Sequence, residues 1–282
     1  MRVEQNDKLA TAHDELVRAV EALVSGADWA AMLEMAARFH RYSSANVLLI
    51  LSQCPGASRC AGYRTWQGLG RQVRRGEKGI GILAPVIRRR RGEPEEETER
   101  FLAGFRVVFV FDYAQTEGEP LPDVAPVVLT GEAPERLWDA LGAQVGAAGF
   151  ELTRGDCGPA NGVTDYIARR VTVDDRLEPA QAAKTVCHEL AHALLHDSTE
   201  YAAGCRGLVE VEAESVAFLV CRAAGLDASA YTFPYVASWA RGETKVVLAA
   251  AERAIRTARA ILAAAGLEDA SESDSRAPSD AA

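Results

Sequence analysis

From Lys8 to Ser25, Leu9, Ala12, Leu16, Val20 and Leu23 recur at three- and four-residue spacing, which predicts an amphipathic helix. A second helix is expected from Trp29 to His40 and a third from Ala45 to Gln53. The runs Ile80–Ile87 and Phe105–Phe111 are β-rich and flank a charged stretch, so they predict a hairpin. Asp112 to Pro126, with its turn residues around Gly118-Glu119-Pro120, reads as a linker. Beyond it, Pro134–Ala148 reads as a helix with Glu132 and Glu135 in or near its first turn. Short strands follow at Glu151–Thr153, Val163–Ala168 and Val171–Val173. Pro179 then suits a helix start, where its missing N–H costs nothing, and that helix runs to about His196. Gly207–Ala224 predicts another helix, ended by Gly225, and Glu243–Ala265 a long Ala-rich one stopped by Gly266. The last 16 residues, rich in Ser, Asp and Glu, are expected to be a disordered tail.

A chain of 282 residues suits one large or two modest domains. Its 48 % hydrophobic and 25 % charged content is the ordinary globular balance, which excludes wholesale disorder. No run of 18 apolar residues occurs, so no conventional membrane span and no membrane partner are expected. Met1–Lys8 lacks the pattern of a secretion signal, and cytoplasmic localisation is expected. In that compartment six cysteines without a C-x-x-C pair are expected to be reduced thiols. The net charge of −9 argues at first against a nucleic-acid partner. Between Arg59 and Arg91, however, ten basic residues face only Glu77, so this segment carries +9 and the remainder −18. Steering depends on such local clusters rather than on the total.

The sharpest chemical feature is His188-Glu189-Leu190-Ala191-His192 on the helix predicted from Pro179. Residues four apart share a helix face, so both imidazoles can reach one metal ion. Glu189 lies one step round, where its carboxylate can serve as general base towards a zinc-activated water that attacks a carbonyl. A catalytic zinc needs a third protein ligand and an open position. His196 lies two turns, about 12 Å of rise, from His188 and cannot converge with it on a straight helix. It is read instead as a polar residue helping the helix dipole. On the following helix Glu210 and Glu214 share a face, while Glu212 points elsewhere and is expected to face solvent. Glu210 is assigned as ligand and Glu214 as the carboxylate orienting a histidine N–H, although the spacing alone permits the reverse. Val171-Thr172-Val173 is expected to be the sheet edge along which a peptide adds. Tyr231 and Tyr235 are candidates for oxyanion stabilisation or for aromatic packing under the last helix.

The segment His188 to His196, with Glu210, Glu212-Ala213-Glu214-Ser215 and Ala217, resembles the ImmA/IrrE-type zincin-like metallopeptidases. The resemblance spans about Glu151 to Leu226. It implies a gluzincin arrangement, with two histidines from one helix, a glutamate from the next, and Glu189 as base. The family's Glu-x-Glu-Ala-Asn pattern has Asn where this chain has Glu214.

In the basic region, Tyr63-Arg64-Thr65-Trp66 through Arg71, Arg74, Arg75 and Lys78 interleaves aromatics, cations and glycines. Cations track a phosphate backbone and aromatic faces stack unpaired bases, the physics of single-strand binding. Gly76 and Gly79 would let backbone N–H groups approach phosphates. The competing reading is a solvated basic loop with Trp66 in the core. Tyr42-Ser43-Ser44-Ala45-Asn46, then Tyr63 to Gly79, then Phe109 to Gly118, resemble the N-terminal domain of ArdC-type antirestriction proteins, without that family's Pro-Trp-rich opening. That resemblance implies a single-stranded-DNA-binding domain joined to a zincin domain.

The expected class is therefore α+β, with a helical and β-hairpin DNA-binding domain over 1–120, a gluzincin-like metallopeptidase domain over 121–266 and an acidic tail over 267–282. The expected sites are Glu189 as catalytic base, His188, His192 and Glu210 (or Glu214) as zinc ligands, and Tyr63, Arg64, Trp66, Arg71, Arg74, Arg75 and Lys78 towards DNA. The expected partners are single-stranded DNA and a protein or peptide substrate. The rival reading is a non-catalytic DNA-binding protein whose zincin domain is structural or regulatory. A third is a peptidase whose basic loop binds an acidic protein.

Overall fold

The structure is a computed structural model that describes residues 2–23, 25–39, 41–89, 100–120, 133–197, 206–226, 233 and 243–267. Two compact units emerge, one of 1–22 with 41–121 and the other of 23–40 with 122–282.

In the first unit, α1 (Arg2–Glu21) packs on α3 (Ser44–Gln53) and on a long antiparallel hairpin of β3 (Ile80–Arg89) and β4 (Arg100–Asp112). β1 (Cys60–Gly62) adds to the other side of β4, giving the order β1-β4-β3. As the outer strand, β3 would present unpaired backbone groups. Gln53 closes off Gly81, accepting from its N–H (2.8 Å) and donating to its carbonyl (2.9 Å). Asn46 does the same for Leu83 at 2.8 and 2.9 Å. The next outward position is Pro85, which has no N–H to satisfy.

The basic stretch, for which a solvated loop was the competing reading, forms regular elements. Tyr63–Gly68 forms the short helix α4 and Arg71–Val73 forms β2, which pairs antiparallel with β5 (Thr116–Gly118). The expected linker therefore begins only after residue 118. Residues 121–126 of that stretch, the charged run 90–99 and the acidic tail beyond 267 lie outside the described residues.

The second unit gathers α2 (Gly26–Arg38), α5 (Ala133–Ala147), a three-stranded sheet and α6 (Pro179–Leu195), α7 (Arg206–Ala223) and α8 (Thr244–Ala264). Ser25 and Asp28 cap α2 reciprocally, with Asp28 N–H to Ser25 Oγ at 3.2 Å and Ser25 N–H to Asp28 Oδ2 at 2.7 Å. Its Trp29 is fully buried, and the indole N–H donates to Ser215 Oγ of α7 at 2.8 Å. α7 packs against α2, α6 and α8, and α6 against α5, α7 and the sheet. Ala182, Ala183, Val186, Cys187, Leu190 and Ala191 form the buried stripe of α6, their small side chains allowing close approach.

The sheet comprises β6 (Glu151–Gly155), β7 (Gly162–Asp165) and β8 (Arg170–Asp174), in the order β6-β8-β7. β8, expected as the edge, is central: it pairs parallel with β6 and antiparallel with β7. Its Val171 and Val173 are buried against the helices, and β7 takes the edge. β7 also stops at Asp165, where a turn replaces the strand expected to reach Ala168; Asp165 Oδ1 accepts from the N–H of Ile167 and Ala168 at 2.9 Å each.

Trp29→Ala is expected to destabilise the second unit by about 3–5 kcal/mol, read as a lower denaturant midpoint. A second expectation concerns acid. Hydrogen bonds from Arg176 hold the Asp174 carboxyl far below the usual carboxylate range. A depressed folded-state value gives stability that is present above about pH 4 and lost as pH falls through that value. Asp174→Asn should therefore lower the melting temperature at pH 7 and flatten its decline in acid, which thermal melts at several pH values measure.

Candidate functional site

α6 and α7 bring His188, His192 and Glu210 together, with one ligand atom of each within 4.8 Å of the others. His188 Nε2 and His192 Nε2 are 3.0 Å apart, and Glu210 Oε2 lies 3.4 and 3.7 Å from them. A tetrahedral zinc with bonds of about 2.0–2.1 Å needs its ligand atoms about 3.3 Å apart, so the three groups fit such an ion with little adjustment. Burial alone would lower the His188 pKa, but hydrogen bonds to Glu210 and Glu214 outweigh it and hold the value at about 9.

Behind His188 sits Glu214, whose Oε2 lies 3.0 Å from His188 Nδ1 while Oε1 meets Lys184 Nζ at 3.5 Å. Desolvation opposes ionisation of Glu214, yet His188 and Lys184 together hold its pKa below the ordinary value. Glu189 is almost fully buried beside the histidines, and its Oε2 accepts a 2.7 Å bond from the Thr164 hydroxyl on β7. The strand passes so close that a Cβ on Gly162 would lie 3.0 Å from Glu189 Oε1 and 2.6 Å from Thr185 Cγ2. Glycine there is what lets the edge strand run against the base.

Two polar residues depart from expectation. Glu212 does not face solvent: it is 1 % exposed, because α7 is packed on several sides and has no wet face at that level. Its Oε1 accepts from Arg253 Nε at 2.9 Å and also from Nη2, and its Oε2 lies 3.0 Å from His196 Nε2. Nor does His196 merely sit on a helix dipole. As the C-cap residue it is extended (φ −126°, ψ 162°), so its buried ring leaves the helical path and reaches His192 Nδ1 at 3.1 Å. Helix rise separates His196 from His188, and its neighbours are instead His192 and Glu212. Tyr231 and Tyr235 lie outside the described residues.

In the first unit the residues expected at DNA divide. Tyr63, Arg64, Arg74, Arg75 and Lys78 are exposed, Arg74 paired with Glu77 at 2.7 Å. Trp66 is 1 % exposed and its indole N–H donates to the Phe111 carbonyl at 2.9 Å, so it is a core residue. Arg71 is buried too. Its guanidinium bonds Thr116 Oγ1 (2.8 Å), the Thr116 carbonyl (3.1 Å) and the carbonyls of Gly118 and Glu119, and lies 4.0 Å from the Tyr113 ring centre. It staples β5 to β2, with four of its five N–H donors turned to these acceptors rather than to solvent. Helical twist in α4 explains the first case, since residues 63, 64 and 67 turn outward while 66 turns in.

The exposed aromatics that sequence reasoning passed over are Phe101, Phe105 and Phe109 on β4, where alternation puts 105, 107, 109 and 111 on one face. A Cβ on Gly79 would fall 2.9 Å from Phe109 Cβ, so the missing side chain serves the aromatic ring rather than a phosphate. The alternation itself was the available signal.

Residues 6–111 match the family described as the N-terminal domain of anti-restriction factor ArdC, and residues 145–253 the IrrE N-terminal-like domain. The chain joins an ArdC N-terminal domain to an IrrE-like domain. The crystal structure of the antirestriction protein ArdC from the R388 plasmid, in metal-free form, superposes with a TM-score of 0.55 at 23 % identity, covering 80 % of this chain and 85 % of that one. Its Mn(II)-bound form gives 0.50 at 19 %, over 79 % and 89 %. That likeness is one of fold. An uncharacterized protein of Bacillus anthracis is 28 % identical over an alignment 255 residues long, which covers 74 % of this ArdC-like chain and only 43 % of that relative's length. No described helix of the chain is long and apolar enough to cross a membrane.

Proposed function

We propose that the chain is a DNA-associated metallopeptidase that acts in the cytoplasm, hydrolysing peptide bonds with its IrrE-like unit and binding single-stranded DNA with its ArdC-like unit. The observation that carries the first half is the convergence of His188, His192 and Glu210 beside the buried carboxylate of Glu189. Two imidazoles and one carboxylate are a zinc donor set, and Mn2+ is the second metal to test, given the manganese-bound relative. A bound ion of this kind polarises a carbonyl and lowers the pKa of a coordinated water. Glu189, steered by Thr164, is the proton acceptor. A substrate in extended conformation would add to the outer side of β7, where its backbone completes the sheet. Here β7, not β8, is the strand that meets it.

Exposed aromatic faces and exposed cations on one unit support the second half. Tyr63, Phe105 and Phe109 are 42, 49 and 51 % exposed, and Arg64, Arg75 and Lys78 are exposed on the same unit. Stacking on rings and phosphate neutralisation by cations together suit an unpaired strand better than a duplex. The biology this implies is protection of incoming DNA, or removal of protein from it.

With metal loaded and a protein bound to single-stranded DNA as substrate, the wild type is expected to yield cleavage or self-cleavage products. Glu189→Gln should keep stoichiometric metal and lose turnover by about 10²-fold or more. Equal turnover in the two removes Glu189 as the base, and no turnover in the metal-loaded wild type hands the case to the non-catalytic reading. For DNA, Phe109→Ala should weaken oligonucleotide binding by about 1–3 kcal/mol with an unchanged salt slope. Arg74→Ala with Arg75→Ala should instead flatten the slope. Fluorescence titrations across a salt series distinguish the two effects.

A further inference from the structure

The two histidines of the candidate centre are held from behind in different ways. His188 meets a carboxylate directly, through Glu214. His192 meets another imidazole, and only that imidazole meets a carboxylate. Every group in this second path is nearly inaccessible: His192 is 3 % exposed, His196 8 % and Glu212 1 %. A buried donor or acceptor must find its partner, so the protons in such a path can be assigned from its fixed end.

That end is Glu212. Its carboxylate, gripped by Arg253 from α8, can only accept hydrogen bonds. His196 Nε2, 3.0 Å from Glu212 Oε2, must therefore carry a proton and donate it. In the neutral ring His196 Nδ1 is then an acceptor, and the group it faces at 3.1 Å is His192 Nδ1. His192 must in turn be protonated at Nδ1, which leaves its Nε2 with a lone pair directed at His188 and Glu210. Reversing His196 alone would set donor against donor between the imidazoles, and reversing either His196 alone or both rings would turn a lone pair towards the carboxylate. Neither fault can be repaired by water at this depth.

We propose that His196 is a positioning residue that locks His192 in the tautomer able to ligate a metal through Nε2, and that Arg253 anchors this lock through Glu212. The last described helix thereby acts on the centre without touching it. Partners of this kind typically set metal affinity by 10–100-fold. The inference rests on the reading of His188, His192 and Glu210 as a metal site, but its proton assignment can be tested with no metal present.

In metal-free wild-type protein, long-range 1H–15N correlation of the imidazoles should show His192 protonated at Nδ1 and His196 at Nε2. A His192 ring protonated at Nε2 alone overturns the proposal, whatever the metal result. Competitive chelator titration with Zn2+ provides the second arm. His196→Ala should weaken binding about 10–100-fold. His196→Gln, whose amide can accept at one atom and donate at the other, should stay within about threefold of wild type. Affinity unchanged in His196→Ala, or lost equally in both variants while circular dichroism shows them folded, overturns the proposal. Should His196→Ala not fold, the ring-nitrogen assignment and the His196→Gln affinity decide. A wild type that binds no Zn2+ contradicts the metal reading, while the imidazole spectra still decide the tautomer.

Discussion

Glu212, His196 and Arg253 meet inside the second unit, where a carboxylate withdrawn from water would be costly without partners. Each partner comes from a different element: the C-cap of α6, the middle of α7 and the middle of α8. Satisfying that one carboxylate therefore fixes how three helices are set against each other. It also coincides with the end of α6, where His196 leaves the helical conformation and meets Glu212. Position and orientation of His192, one turn earlier, follow from the same requirement.

The rest of the centre is arranged by close approach. Glycine at 162 lets the edge strand β7 lie against Glu189, and Thr164 on that strand takes hold of its carboxylate. The acidic side chains of α7 serve both faces of the helix: Glu210 and Glu214 look to α6, and Glu212 to the other side. In the first unit the same rule of polar satisfaction appears at the outer strand. Asn46 and Gln53 from α3 take up the backbone groups of Leu83 and Gly81, and Pro85 removes the next donor. An edge that could recruit another strand is thereby closed off. Arg71 is a buried cation used in the same spirit, spanning β2 and β5 through carbonyls and a threonine.

Much of this was legible in the residue order. Period-3.6 runs located α2, α3, α5, α6, α7 and α8 to within a few residues, since each carries an apolar stripe long enough to dominate its surroundings, whereas α1 begins six residues before the expected Lys8 and ends four before Ser25. The hairpin of β3 and β4 was equally plain. What escaped were short elements whose existence depends on a partner far along the chain: β1 on β4, and β2 on β5. Three-residue strands have no period to read. For the same reason the two readings of Trp66 stayed open and Arg71 was expected at DNA, because composition records that a residue is aromatic or cationic but not which way a short helix or strand turns it.

By itself the sequence determined the class of the fold, the order of the two domains and the spacing of His188, Glu189 and His192, because local periodicity and i, i+4 geometry are properties of adjacent residues. Tertiary structure alone decided which strand became the sheet edge, that α2 packs with helices more than 100 residues further along, and that Glu212 is buried on His196 rather than solvated. These outcomes depend on burial and on the pairing of polar groups from separate elements. No local pattern encodes them, because the free energy of a buried polar group is set by whatever else reaches it.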